Sequence, residues 1–207
     1  MIREEKNRLT RQLIVSSAIA VFGIHSYAEA SMNEVSKKGN ISKGIIYHYF
    51  KDKDDLYLEC IKDCFTSLIG FLSSNEISFQ RVEESIEIYL SLRHKFFKEN
   101  PDFSNIFANA LLQPPKHLSA QIREITVELH EFNRDFYEQI LDHVELKNDV
   151  TREEAVEYFI LFQESFNHHF KDKNYNDFGR LFDEHELKLS KLLKLMFYGI
   201  IKEDQKK

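Results

Sequence analysis

The chain has 207 residues with a formal net charge of −6, 43% hydrophobic and 30% charged side chains, an ordinary balance for a soluble protein with a packed core. No run of eighteen apolar residues exists, so no membrane span is expected. The opening MIREEKNRLTRQ is charged throughout and lacks the apolar stretch of a signal peptide, which predicts a cytoplasmic protein.

Charge is unevenly spread. Residues 1–51 carry eight Lys/Arg against four Glu, and the remainder carries twenty basic against thirty acidic side chains. A basic head on an acidic body presents one end to a polyanion while the body is repelled by phosphates.

With six Gly and three Pro, the chain reads as consecutive helices, about nine in all, and the fold class is all-α. The first spans Leu9 to Phe22. The second opens on a capping box, Ser31-Met32-Asn33-Glu34, and stops at Gly39-Asn40, residue types that tolerate positive φ. Ser42 caps a short third helix ending near Phe50-Lys51-Asp52; the linker has the length of a helix-turn-helix turn. Asp52 caps a long fourth helix bearing Leu56, Ile61, Phe65, Leu68 and Leu72. A fifth helix covers Phe79–Lys98, and Asn100-Pro101 stops it and starts the next. After Pro114-Pro115 a long segment runs from Lys116 to His143. Thr151-Arg152-Glu153-Glu154 is a second capping box, opening a helix to about Phe170. The last helix, Asp177–Ile201, counts His185 within its apolar stripe. Cys60 and Cys64 share one face of the fourth helix; buried neutral thiols fit a reducing compartment, with redox sensing as the alternative.

The third helix has two unlike faces. At about 100° per residue, Ile46, Tyr49 and Phe50 fall on one apolar arc, and Lys43, Gly44, Tyr47 and His48 on the opposite one, with Ile45 at the border. Lysine, tyrosine and histidine contact phosphates or base edges, and glycine lets the backbone approach closely. The Ser42-capped start offers N–H donors to a phosphate, and Ile45 would meet a thymine methyl. On composition alone a solvated helix face fits equally well.

The segment VFGIHSYAEASMNEVSKKGNISKGIIYHYFKDKDDLY resembles the TetR family of bacterial transcriptional regulators, over about residues 9–65 and most closely in ISKGIIYHYFKDKDDLY. The resemblance implies a helix-turn-helix over residues 31–50 within a three-helix DNA-binding domain, residues 1–52, and a helical effector-binding and dimerisation domain, residues 53–207. It implies that Lys43, Gly44, Tyr47 and His48 meet a palindromic double-stranded operator, and that Ser31 and Lys53 hold phosphates. Four positions depart from the family. Ser26 and Asn40 replace turn glycines, and Ala30 and Ile45 replace threonines, the last altering base preference.

The body is rich in phenylalanine, most of it expected as packing. A cavity between its helices would admit a small apolar or acyl-chain effector, with Phe65, Phe103, Phe107, Phe162 and Phe166 as lining and His130, Tyr137, Tyr158 and Gln163 as polar contacts. His168-His169 after Glu164 invites a metal reading, but adjacent helical positions point about 100° apart and suit one ion poorly. Surface or interface histidines fit better, and no metal or cofactor is expected. The last two helices leave an apolar face for a symmetry mate, which predicts a homodimer whose third helices lie one DNA turn apart.

Three functions follow. The first is a repressor released from its operator by an effector, with the fourth helix joining head to body. The second is a DNA-bound adaptor whose body binds a protein. The third, an enzyme, is not expected, because no glycine-rich phosphate loop, metal triad or nucleophile elbow is present. The regulator is expected in the bacterial cytoplasm, at the nucleoid when bound.

Overall fold

The computed structural model describes residues 3–171 and 178–202. Within them lie nine α-helices: α1 (Arg3–Phe22), α2 (Met32–Gly39), α3 (Lys43–Tyr49), α4 (Lys53–Ser73), α5 (Val82–Glu99), α6 (Pro101–Leu112), α7 (Ser119–Leu141), α8 (Arg152–Lys171) and α9 (Phe178–Ile200). The all-α reading holds; the strand-like pairing among the described residues is a single antiparallel bridge, Leu146 to Ile201.

Local chemistry sets most boundaries. Asp52 Oδ1 accepts from the Asp55 N–H at 2.9 Å and caps α4. Thr151 and Glu154 exchange reciprocal bonds of 2.9 and 3.2 Å at the start of α8. Pro101 occupies the first turn of α6. Three helix starts differ from the sequence reading. α1 begins at Arg3 rather than Leu9, because Glu4 and Glu5 suit its positive end and Arg8 pairs with Glu5 at 2.6 Å without any apolar stripe. α5 begins at Val82 rather than Phe79, where the Ser85 hydroxyl donates to the carbonyls of Ser78 and Arg81. The segment after Pro115 opens with a 3-10 turn, Lys116–Leu118, before α7. The expected start of the last helix at Asp177 lies outside the described residues.

The chain divides into two compact units, residues 1–67 with 97–125, and residues 68–96 with 126–207. In the first, Ile14, Ala18, Val35, Ile46, Leu56 and Ile61 are fully buried. Phe65 meets Phe107 edge-on with centroids 5.6 Å apart, and Phe97 leans on the same ring at 4.8 Å. The Asn105 amide donates to the Gly23 carbonyl, which ties α6 to the end of α1. Cys60 and Cys64 are free and buried, and burial pushes both thiols up, so neither offers a reactive thiolate.

In the second unit Tyr137 stacks on Phe159 at 4.4 Å, and Phe159 packs on Phe197 at 4.4 Å, which joins α7, α8 and α9. Tyr89 of α5 stacks on Phe136 at 4.3 Å. Each such ring contributes roughly 1.5–3 kcal/mol through burial. Lys194 reaches Glu83 at 3.1 Å and Glu87 at 2.6 Å, fastening α9 to α5.

Candidate nucleic-acid interface

The α2–α3 pair is built by short-range bonds. Ser31 Oγ accepts from the Glu34 N–H, and Glu34 Oε2 accepts from the Ser31 N–H at 2.8 Å, so both halves of the capping box form. At the other end Asn40 adopts φ 51°, ψ 43°, the one non-glycine positive φ among the described residues. Its N–H donates to Lys37, and the Ile41 N–H donates to Ser36 at 3.0 Å, a paired stop that satisfies the last carbonyls of α2. Gly39 does a different job from the one its neighbour does. A Cβ there would lie 2.5 Å from Ser17 Oγ, so its hydrogen lets α2 close onto α1.

α3 is anchored by its apolar arc. Ile46 is 0% and Phe50 2% exposed, and half-buried Tyr49 donates its hydroxyl to Asn7 of α1 at 3.2 Å. The Arg11 guanidinium covers the Phe50 ring at 5.1 Å and is itself held by Glu59 at 2.7 Å. The opposite arc faces outward. Ser42, Lys43, Gly44 and His48 are exposed, with Ile45 at 44% and Tyr47 at 50%. Ser42 Oγ accepts from the Ile45 N–H at 3.4 Å. A Cβ added at Gly44 would meet nothing within 4 Å, so no internal contact of the protein demands glycine there.

The two flanking residues are already engaged. The Ser31 hydroxyl donates to Glu34 Oε2 at 2.7 Å, and this bond lowers the Glu34 carboxyl below its usual value. Lys53 is half-buried with Nζ 4.2 Å from the Tyr27 ring centroid. Burial draws its pKa below the ordinary lysine value, against the opposing pull of Asp54 and Glu34.

The nine effector candidates divide between the units: Phe65, Phe103 and Phe107 belong to the first, the other six to the second. Phe65, Phe107, Tyr137 and Phe166 are buried, Phe103, Phe162 and Gln163 half-buried, and His130 and Tyr158 exposed. Phe162 stacks on Phe166 at 5.8 Å. A groove of about 430 Å³ opens elsewhere, between α7 and α8, rimmed by Arg134, Glu138, Arg152, Glu153 and Glu157 over Val156, Ile160 and Leu161. His168 and His169 are exposed, and among the described residues no three His, Cys, Asp or Glu converge as a metal set.

Sequence reasoning missed a buried polar network in the second unit. Arg93 bonds Glu186 twice, Glu186 also meets His185 Nδ1 at 3.0 Å, and His185 Nε2 meets Asn167 at 2.9 Å. Arg93 Nη1 donates to the Tyr89 hydroxyl at 3.2 Å, which donates to Asn133 Oδ1 at 2.5 Å. The one signal the sequence offers is a charge or imidazole at an apolar-period position of α5 or α9, and His185 stands within the apolar stripe of the last helix.

Comparison with known proteins places this architecture. Residues 14–60 match the model described as bacterial regulatory proteins, tetR family, and residues 80–199, more than half of the chain, match the tetracyclin repressor-like C-terminal domain. A relative from Staphylococcus epidermidis, the HTH-type negative transcriptional regulator IcaR of the icaADBC biofilm operon, is 22% identical over 154 residues, covering 74% of this chain and 80% of that protein. IcaR of Staphylococcus aureus is 24% identical over 157 residues with the same coverage. Two solved structures share the fold. FadR from Bacillus subtilis in complex with stearoyl-CoA has a TM-score of 0.62 at 18% identity, covering 88% of this chain and 97% of that one. A transcriptional regulator from Rhodococcus sp. Rha1 has a TM-score of 0.64 at 14% identity, covering 91% and 96%. Two family models in the family's own order, one on the helix-turn-helix and one on the helical body, make this chain a member of the TetR family of bacterial transcriptional regulators.

Proposed function

We propose that this protein is a ligand-responsive repressor, bound as a homodimer to a palindromic operator and released by a small, largely apolar effector. The observation that carries the reading is the two-faced α3: Ile46 and Phe50 lock it into the head, while Lys43, Gly44, Ile45, Tyr47 and His48 stand free of it. Tyr47, His48 and Ile45 would read base edges, and Ser31, Ser42, Lys43 and Lys53 would position the head on phosphates. Residues 1–52 would serve as the DNA-reading domain and residues 53–207 as the effector-binding and dimerisation domain.

Dimerisation through α8 and α9 is supported by exposed Tyr158 and Leu161 on one helix and Leu187 and Leu195 on the other, large apolar side chains spaced for one helical face each. Two-fold pairing would set the α3 helices about one DNA turn apart. The effector class is supported by the aromatic body and by the stearoyl-CoA in the Bacillus subtilis neighbour. To empty a bound operator the effector must favour the released geometry by on the order of 5.5 kcal/mol. The adaptor reading gains no comparable observation. The protein would act in the cytoplasm, at the nucleoid; no helix among the described residues is long and apolar enough to cross a membrane.

The test is selection of duplexes from randomised DNA by the full-length protein, followed by addition of long-chain acyl compounds. Recovery of an inverted repeat released by one of them supports the reading, and recovery of no preferred sequence removes it. A strict monomer at micromolar concentration by light scattering would remove the dimer.

A further inference from the structure

Asp54, the second residue of α4, gathers groups from two distant segments. The Tyr27 hydroxyl donates to its Oδ1. His117 Nε2, from the 3-10 turn before α7, lies 3.3 Å from its Oδ2 and 3.4 Å from its Oδ1. The Tyr27 and His117 rings lean together with centroids 5.4 Å apart, and Tyr27 rests in turn on buried Tyr57 at 5.0 Å. Lys53 lies over this same Tyr27 ring. The tyrosine is therefore the seat of the lysine, and Asp54 and His117 hold the seat.

We propose that His117 is a positioning residue for DNA binding, which keeps the Asp54 carboxylate on Tyr27 and off Lys53. The inference rests on Lys53 as a phosphate contact. A lysine side chain samples many rotamers, and an ordered aromatic face beneath it reduces the entropy lost when it engages a phosphate. Asp54 is the threat to that role, since it adjoins Lys53 in sequence. A carboxylate that loses either of its two partners is freer to swing toward the nearest cation, pair with it and repel the duplex. His117 adds a second partner on the carboxylate, from a segment sixty-three residues away.

The experiment uses the full-length protein and a mixed-sequence DNA duplex, because phosphate contacts are independent of sequence. Lys53→Ala comes first, and it should weaken binding and lower the salt slope by about one. If it changes nothing, the phosphate assignment itself fails. His117→Ala should weaken binding about two- to fivefold at low salt, the range of an exposed ionic contact, with the difference vanishing at high salt. His117→Gln, which keeps an N–H, should bind within about twofold of wild type. Tyr27→Phe, which keeps the ring and removes the other partner of Asp54, should reproduce the His117→Ala loss even where that variant is poorly folded. In the Lys53→Ala background, His117→Ala should add nothing. If Lys53→Ala weakens binding while His117→Ala matches wild type, or if the two losses add in full, the inference is overturned and the phosphate assignment stands.

Discussion

Arg93 Nη2 and Nε donate to the two carboxylate oxygens of Glu186 at 2.8 and 3.1 Å, a two-point bond between α5 and α9 with the side chains 3% and 11% exposed. A buried pair of this kind adds little over a well-packed apolar pair, yet removal of one partner strands the other charge. Arg93→Ala or Glu186→Ala should therefore cost about 3–5 kcal/mol in urea unfolding, and a joint replacement by Met and Leu much less. Equal losses in the single and joint variants would mean that packing, rather than charge, holds the two helices.

The same pair predicts an acid-labile body. Burial alone would raise the Glu186 carboxyl, but the Arg93 charge and the His185 contact outweigh it and hold the pKa at about 2, against an ordinary 4.5. The unfolded chain thus binds a proton at this site that the folded one refuses. The stabilisation is complete above about pH 4.5 and is lost as pH falls toward about 2. Melting temperature followed across that window should fall less steeply for Glu186→Gln than for wild type; parallel curves would contradict the assignment.

Asn40 carries the left-handed stop of α2 with an exposed side chain, so its contribution is conformational rather than packed. Asn40→Ala should cost about 1 kcal/mol, and Asn40→Gly should be neutral or slightly stabilising. Thermal unfolding reads both. An alanine variant as stable as wild type would mean that the turn relaxes out of that conformation.

These residues also mark what a sequence can and cannot reveal. Ser31 with Glu34, Thr151 with Glu154, Asp52 with Asp55 and the Asn40 stop all act within five positions, so their chemistry is visible in the string itself. The outward arc of α3 follows from the helical angle alone. The start of α1 at Arg3 was hidden because a polar helix without an apolar stripe has no periodic signal. Arg93 with Glu186, and Tyr27 with Asp54 and His117, are joined by tertiary packing across tens of residues. No local pattern encodes such partners, and the chemistry of Lys53 depends on a ring that its own neighbourhood does not contain.

Gly44 separates stability from function. It lies on a helix, exposed, with open space where a methyl would go. Glycine within a helix costs roughly 0.5–1 kcal/mol relative to alanine, so Gly44→Ala should leave the fold as stable or slightly more so. A groove wall that approaches the α3 backbone would instead meet the new methyl, and operator affinity should fall by about tenfold, roughly 1.4 kcal/mol. Melting temperature and duplex titration on one preparation give both values. Unchanged affinity with a raised melting temperature would mean that DNA does not touch this face of α3, since within the protein nothing else stands close enough to object.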